Sequence, residues 1–231
     1  MHLSEASLVQ RSTGNDTLLQ EAAPMDTPST VIILAMHALA TATSPSSEEG
    51  MAMQWHGVSS QVERALESRL PTVLVASSAM LGVSRPWADA RGVTTVALDG
   101  MLTDASLTAG LRTGVQMSAS AHGWIMVPVG LGLLRGGTLN CISDLLQQHA
   151  IAYPTHRNRP GLPIGFGREL FSELMQLRSD RDLHRLINRY PSQGVELDDP
   201  GVLVHPWLGT DAHGTHGTHR GDASRPIQHP K

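Results

Sequence analysis

Four short runs rich in β-branched and aliphatic residues punctuate the chain, at residues 29–36 (STVIILAM), 72–76 (TVLVA), 93–98 (VTTVAL) and 124–129 (WIMVPV). The last is wholly apolar and stops at Gly130. A strand with no polar alternation is what a parallel sheet covered by helices on both faces requires, so this run predicts a buried strand, and the other three predict further strands. Between them the apolar positions change period. Ala105, Leu107, Ala109, Leu111 and Val115 recur at near-helical spacing behind Asp104, a plausible N-cap. Val62, Ala65, Leu66 and Leu70 predict a helix over 58–70 that Pro71 ends, and a further helical stretch falls near 79–91.

Beyond Gly130 the pattern predicts a helix from Gly136 or Thr138 to His149 and a strand at Ile151-Ala152-Tyr153 cut by Pro154. A turn-rich loop, THRNRPGLP, leads to a short strand over 162–166, then helices over 168–177 and 181–189. Residues 194–197 and 202–204 predict a terminal strand pair around the turn Asp198-Asp199-Pro200-Gly201. Strands alternating with helices imply βαβ units in an α/β, three-layer α/β/α Rossmann-like sandwich with a mostly parallel sheet.

Three stretches carry no such period. Residues 1–28 read as a disordered leader. Residues 37–57, long for a loop in a compact domain, read as a mobile functional loop. Residues 212–231 read as a disordered tail of Gly, His, Thr and Pro. That leaves one domain, residues 29–211.

Composition narrows the class. Apolar residues make up 40% of the chain, enough for a core, and aromatics only 3%, so that core rests on aliphatic side chains and methionine. A net charge of −4, with Lys231 the only lysine, argues against a nucleic-acid partner. Cys141 is the single cysteine, which excludes an internal disulfide and a cysteine-based zinc site; a buried structural thiol is expected. No apolar run reaches the ~20 residues of a membrane span, and MHLSEASLVQ lacks the basic start and apolar core of a secretory signal. A cytoplasmic protein with no membrane partner is expected.

Candidate chemistry is scattered. His37 follows the first strand. His213, His216 and His219 form HGTHGTH, in which the glycines deny a helix that would align a metal site. Arg157 and Arg159 suit an anionic substrate or plain solvation. Asp180 reads as an N-cap, Asp182 lies two residues on, and Asp198 and Asp199 read as turn residues. The motifs GxSxG, HExxH, GxxxxGK[ST] and GxGxxG are all missing.

Five short segments nevertheless stand in a telling order: Trp55-His56-Gly57, Ser106-Leu107-x-x-Gly110-Leu111, the core strand 124–128, Gly161-Leu162-Pro163-Ile164 and Ser179-Asp180-Arg181-Asp182. Together they resemble the MobA-like NTP transferase domain, especially its molybdenum-cofactor cytidylyltransferase branch, with its SLxxGL helix start, GHPV turn and GDxG segment. The resemblance implies the sheet and layers of nucleotide-diphospho-sugar transferases. It also implies an NTP such as CTP, Mg²⁺ and a molybdopterin-type acceptor. By position it assigns nucleotide contacts to Leu34, Ala35, Met36, His37 and Ser106.

The family's catalytic residues are largely replaced. Its first strand runs into LAAG and a Gly/Arg-rich phosphate loop; here Met36 and His37 follow Leu34-Ala35, and residues 38–47 hold neither glycine nor arginine. Gly50 stands where the phosphate-neutralising lysine belongs, beside Glu48 and Glu49. The metal-binding aspartate after the core strand corresponds to Gly130. The later DIDTPxD segment corresponds to residues 205–211, with His205 and Trp207 in place of acids and only Asp211 kept. Two functions follow. One is a cytidylyltransferase-like enzyme with eroded motifs. The other is a catalytically inactive relative that binds or scaffolds, with a protein partner in molybdoenzyme maturation.

Overall fold

The structure, a computed structural model, describes residues 27–35, 48–98 and 107–203. Within them the elements run β1 (Thr30–Ala35), α1 (Glu48–Glu67), β2 (Thr72–Ala76), α2 (Ser78–Asp89), β3 (Thr94–Ala97), α3 (Leu107–Met117), β4 (Gly123–Pro128), α4 (Gly136–Leu145), β5 (Ile151–His156), β6 (Arg159–Pro160), β7 (Ile164–Gly167), α5 (Phe171–Gln176), α6 (Asp180–Arg189) and β8 (Ser192–Glu196). A 3₁₀ turn, Arg168–Leu170, leads into α5, and another, Pro200–Leu203, follows β8.

The four expected strands lie parallel in one sheet, in the order β3-β2-β1-β4. β1 and β4 form its centre. Val31, Ile32, Ile33, Trp124, Ile125 and Met126 have no exposed surface. Ile32 faces α3, where it meets Gly114. Gly57 of α1 sits over Val129 on the opposite face. The buried indole of Trp124 donates to the Ser118 carbonyl at 3.1 Å, so its one polar atom is satisfied within the α3 layer. Helices thus cover both faces, as the unbroken apolar strands required.

The sheet is mixed rather than mostly parallel. β7 is inserted between β4 and β5 and runs antiparallel to both. The reason is local: β5 returns through the tight turn at Arg157-Asn158 into β6 and β7, and a short connection can only make an antiparallel neighbour.

Other expectations are corrected. Helix α1 begins at Glu48, ten residues before the apolar period starts, so 48–57 is helix and not loop. Acidic residues at a helix start are favoured by the helix dipole, and Met51-Ala52-Met53-Gln54 are good helix formers. Strand β5 continues through Pro154 to His156. Its ladder to β8 survives because Pro154 faces the other side, where its carbonyl accepts from Gly161 N–H at 2.8 Å and β6 breaks off before β7. Residues 194–197 do not pair with 202–203: β8 joins β5 in parallel, and 200–203 turn as 3₁₀. Cys141 is half-buried on α4 rather than buried. The leader up to residue 26, residues 36–47 and the tail lie outside the described residues. Among the described residues no helix is long and apolar enough to cross a membrane.

Candidate active site at the carboxyl edge of the sheet

Strands β1 to β4 are mutually parallel, β5 runs with β4 across the antiparallel β7, and β8 runs with β5. Ala35, Ala76, Ala97, Pro128, His156 and Glu196 therefore end at one edge. The order turns at β1, whose sequence neighbour β2 lies on one side and β4 on the other. In open α/β sheets the ligand crevice forms outside the carboxyl ends at such a switch point.

At that point the structure places Leu34 in the core, 2% exposed, with its carbonyl accepting from Val129 N–H at 3.2 Å. Ala35 ends β1, half-buried. Gly130 follows β4 with φ +116°. That backbone conformation strains any residue bearing a Cβ, so the turn itself suits glycine. Its neighbours Val129 and Leu131 are apolar. Met36, His37, Ser106, His205, Trp207, Asp211 and the His213, His216, His219 tract lie outside the described residues. Asp104, expected as the α3 cap, does too.

The acids that are described have their own partners. Ser179, not Asp180, caps α6: its hydroxyl accepts from Asp182 N–H at 3.3 Å. Asp180 instead reaches α3, where its carboxylate accepts from the Thr108 N–H at 3.0 Å and the Thr108 hydroxyl at 2.7 Å. It caps that helix from a distance in sequence. The Ser179 hydroxyl bond holds the Asp182 carboxyl below its ordinary range.

Asp199 does more than turn the chain. One oxygen accepts from Gly201 N–H at 3.0 Å, the expected turn bond. The other accepts from Arg135 N–H at 3.0 Å and the Thr138 hydroxyl at 2.6 Å. The residue at the N-cap of α4, Arg135, makes no side-chain cap bond, so Asp199, 1% exposed, supplies the cap from a distant part of the sequence. The absence of a capping residue before Gly136 was the one sequence signal for this role.

The Arg157-Asn158 turn is likewise occupied from within. Both residues have positive φ, and their N–H groups and the Thr155 hydroxyl bind the Glu196 carboxylate. The Thr155 hydroxyl chiefly, with those N–H groups, lowers the Glu196 pKa. Arg157 and Arg159 are exposed beside it. His156, unremarked in the sequence, is 8% exposed at the end of β5, with Nδ1 2.9 Å from the Leu197 carbonyl. A carbonyl only accepts, so Nδ1 carries the proton. Among the described residues no three His, Cys, Asp or Glu side chains converge as a metal site.

No curated protein matches the chain. Solved structures do match in fold. A manganese complex of Rv0371C from Mycobacterium tuberculosis H37Rv aligns with TM-score 0.55 and 17% identity, over 74% of this chain and 88% of that one. A cytidylyltransferase from Leptospira borgpetersenii aligns with TM-score 0.54 and 12% identity, over 75% and 77%. The 4-diphosphocytidyl-2C-methyl-D-erythritol synthase of Anaerococcus prevotii aligns with TM-score 0.54 and 8% identity, over 78% and 91%. The model of the MobA-like NTP transferase domain matches residues 53–195, more than half of the sequence, and the protein belongs to that family.

Proposed function

We propose that the protein uses the family's carboxyl-edge crevice to bind a nucleotide, CTP by the branch it resembles, together with a molybdopterin-type ligand. In this reading it serves molybdoenzyme maturation as a binding or scaffold protein and transfers nucleotide little or not at all. The observation that carries the reading is Gly130, at φ +116° between Val129 and Leu131. Nucleotidyl transfer leaves little covalent work to a protein; positioning and charge neutralisation supply most of the barrier reduction. Magnesium, which the family implies, binds through one or two carboxylates, with substrate oxygens and water completing its shell. At the end of β4 the residues present do not fit it. Asp199 is no substitute, since its carboxylate already accepts three hydrogen bonds.

The competing reading is an active cytidylyltransferase whose metal is held by Asp211 or Asp198. Family membership favours it, as does the manganese complex of a structural relative. Pyrophosphate release decides between the two. The purified full-length protein, given CTP, GTP or ATP with Mg²⁺ and a molybdopterin acceptor, should bind CTP by calorimetry and release no pyrophosphate above background. Each lost charge contact typically costs on the order of 10²–10³ in rate. Turnover within about tenfold of a family member with intact acids overturns the proposal.

A further inference from the structure

Three contacts converge on the loop that follows β4. Asp199, itself buried, accepts from the Arg135 N–H and the Thr138 hydroxyl at the loop's far end. Gly201 lies so close to the loop that a Cβ there would come within 2.4 Å of the Leu133 carbonyl carbon. Leu162 N–H donates to the Val202 carbonyl at 2.9 Å, fixing the same 3₁₀ turn to the strand entry of β7. The loop's own side chains anchor it at two points, with an open stretch between them. Leu131 and Leu134 are buried, but Leu133 is 69% exposed and Gly132 has open space around it. Its near end is the Val129-Gly130 turn at the switch point of the sheet. From these contacts we infer that Asp199 is a positioning residue of the nucleotide site: it holds the 129–135 loop as one wall of the crevice by tying it to the 3₁₀ turn Pro200–Leu203.

This inference rests on the reading of the carboxyl edge as a nucleotide site, but the clamp itself can be tested without a nucleotide. Hydrogen exchange on the full chain reads it directly. In Asp199→Asn the amides of residues 131–135 should exchange faster than in wild type, by about tenfold or more, at a temperature where both are folded. Unchanged exchange there overturns the clamp. The role in the site is read by CTP calorimetry on the same proteins. Asp199→Asn and Thr138→Val should weaken CTP binding, the former by about tenfold, because the competent loop conformation becomes a minor population. Thr138→Ser keeps the hydroxyl and should restore both exchange and affinity. Gly165→Ala crowds Ile142 and Leu146 at the other end of α4 and serves as the control. A merely structural role makes Asp199→Asn and Gly165→Ala, compared at equal denaturation midpoint, weaken CTP alike, and that result overturns the positioning role. Should wild type bind none of CTP, GTP or ATP, the nucleotide reading and the site role fall together, and the exchange data alone decide the clamp.

Discussion

Gly114 shows how closely single atoms are fitted. A Cβ on it would lie 2.4 Å from Ile32 Cγ2 and 2.9 Å from Cδ1, and Ile32 is wholly buried in the central strand. Alanine is the better helix former, by roughly 1 kcal/mol at an exposed site. Here overpacking outweighs it, since forcing a methyl into a packed core costs about 1–3 kcal/mol. Gly114→Ala should therefore destabilise the protein in urea denaturation. A neutral or stabilised variant would show that α3 can move off β1. The same scale bears on Gly130. An aspartate at Gly130 would have to adopt φ +116° or rebuild the turn.

At the scale of elements, helix α1 is where pattern and structure part. Its 20 residues start at Glu48, ten before the apolar period that marks the helix in the sequence. Gly57 marks the boundary. It lies in the helix, and a Cβ there would meet Val129 Cγ1 at 3.8 Å, ordinary contact. Gly57→Ala should stabilise by about 0.5–1 kcal/mol, the usual gain of alanine over glycine in a helix interior. Were 48–57 a loop, the substitution would bring no such gain, and a denaturant titration separates the outcomes. Helices α3 and α4 make the complementary point: each takes its N-terminal cap from a carboxylate distant in sequence, Asp180 and Asp199.

At the scale of the whole molecule, three carboxylates among the described residues contribute to the acid limb of stability. Glu173 is held low chiefly by the Tyr190 hydroxyl, Asp182 by Ser179 and Glu196 by Thr155. A carboxyl with a lowered folded pKa stabilises the native state above its unfolded pKa, and loses that contribution as pH falls through the folded value. The loss should therefore begin below about 4.5, the ordinary glutamate value, and continue downward. Urea midpoints measured between neutral pH and acid should fall in that window. Glu196→Gln, which cannot titrate, should show a shallower fall. An equal slope in wild type and variant would mean that the turn at 157–158 does not hold the charge. All three groups are at least partly solvated, so the change is modest in size.

The parallel half of the sheet, the helices between its strands and the family were legible in the sequence. Those are local facts: a period of apolar residues, a β-branched run, a residue type at a position. What it misread depends on how segments pair and on which groups the fold brings together. The antiparallel β7 arises from a hairpin whose register no single strand encodes. The strand through Pro154 survives because of which side its missing N–H faces. Asp180 and Asp199 look like ordinary cap and turn residues until the fold brings Thr108, Arg135 and Thr138 to them. A carboxylate's role follows from the donors that surround it, and only the tertiary structure gathers donors from 61 to 72 residues away.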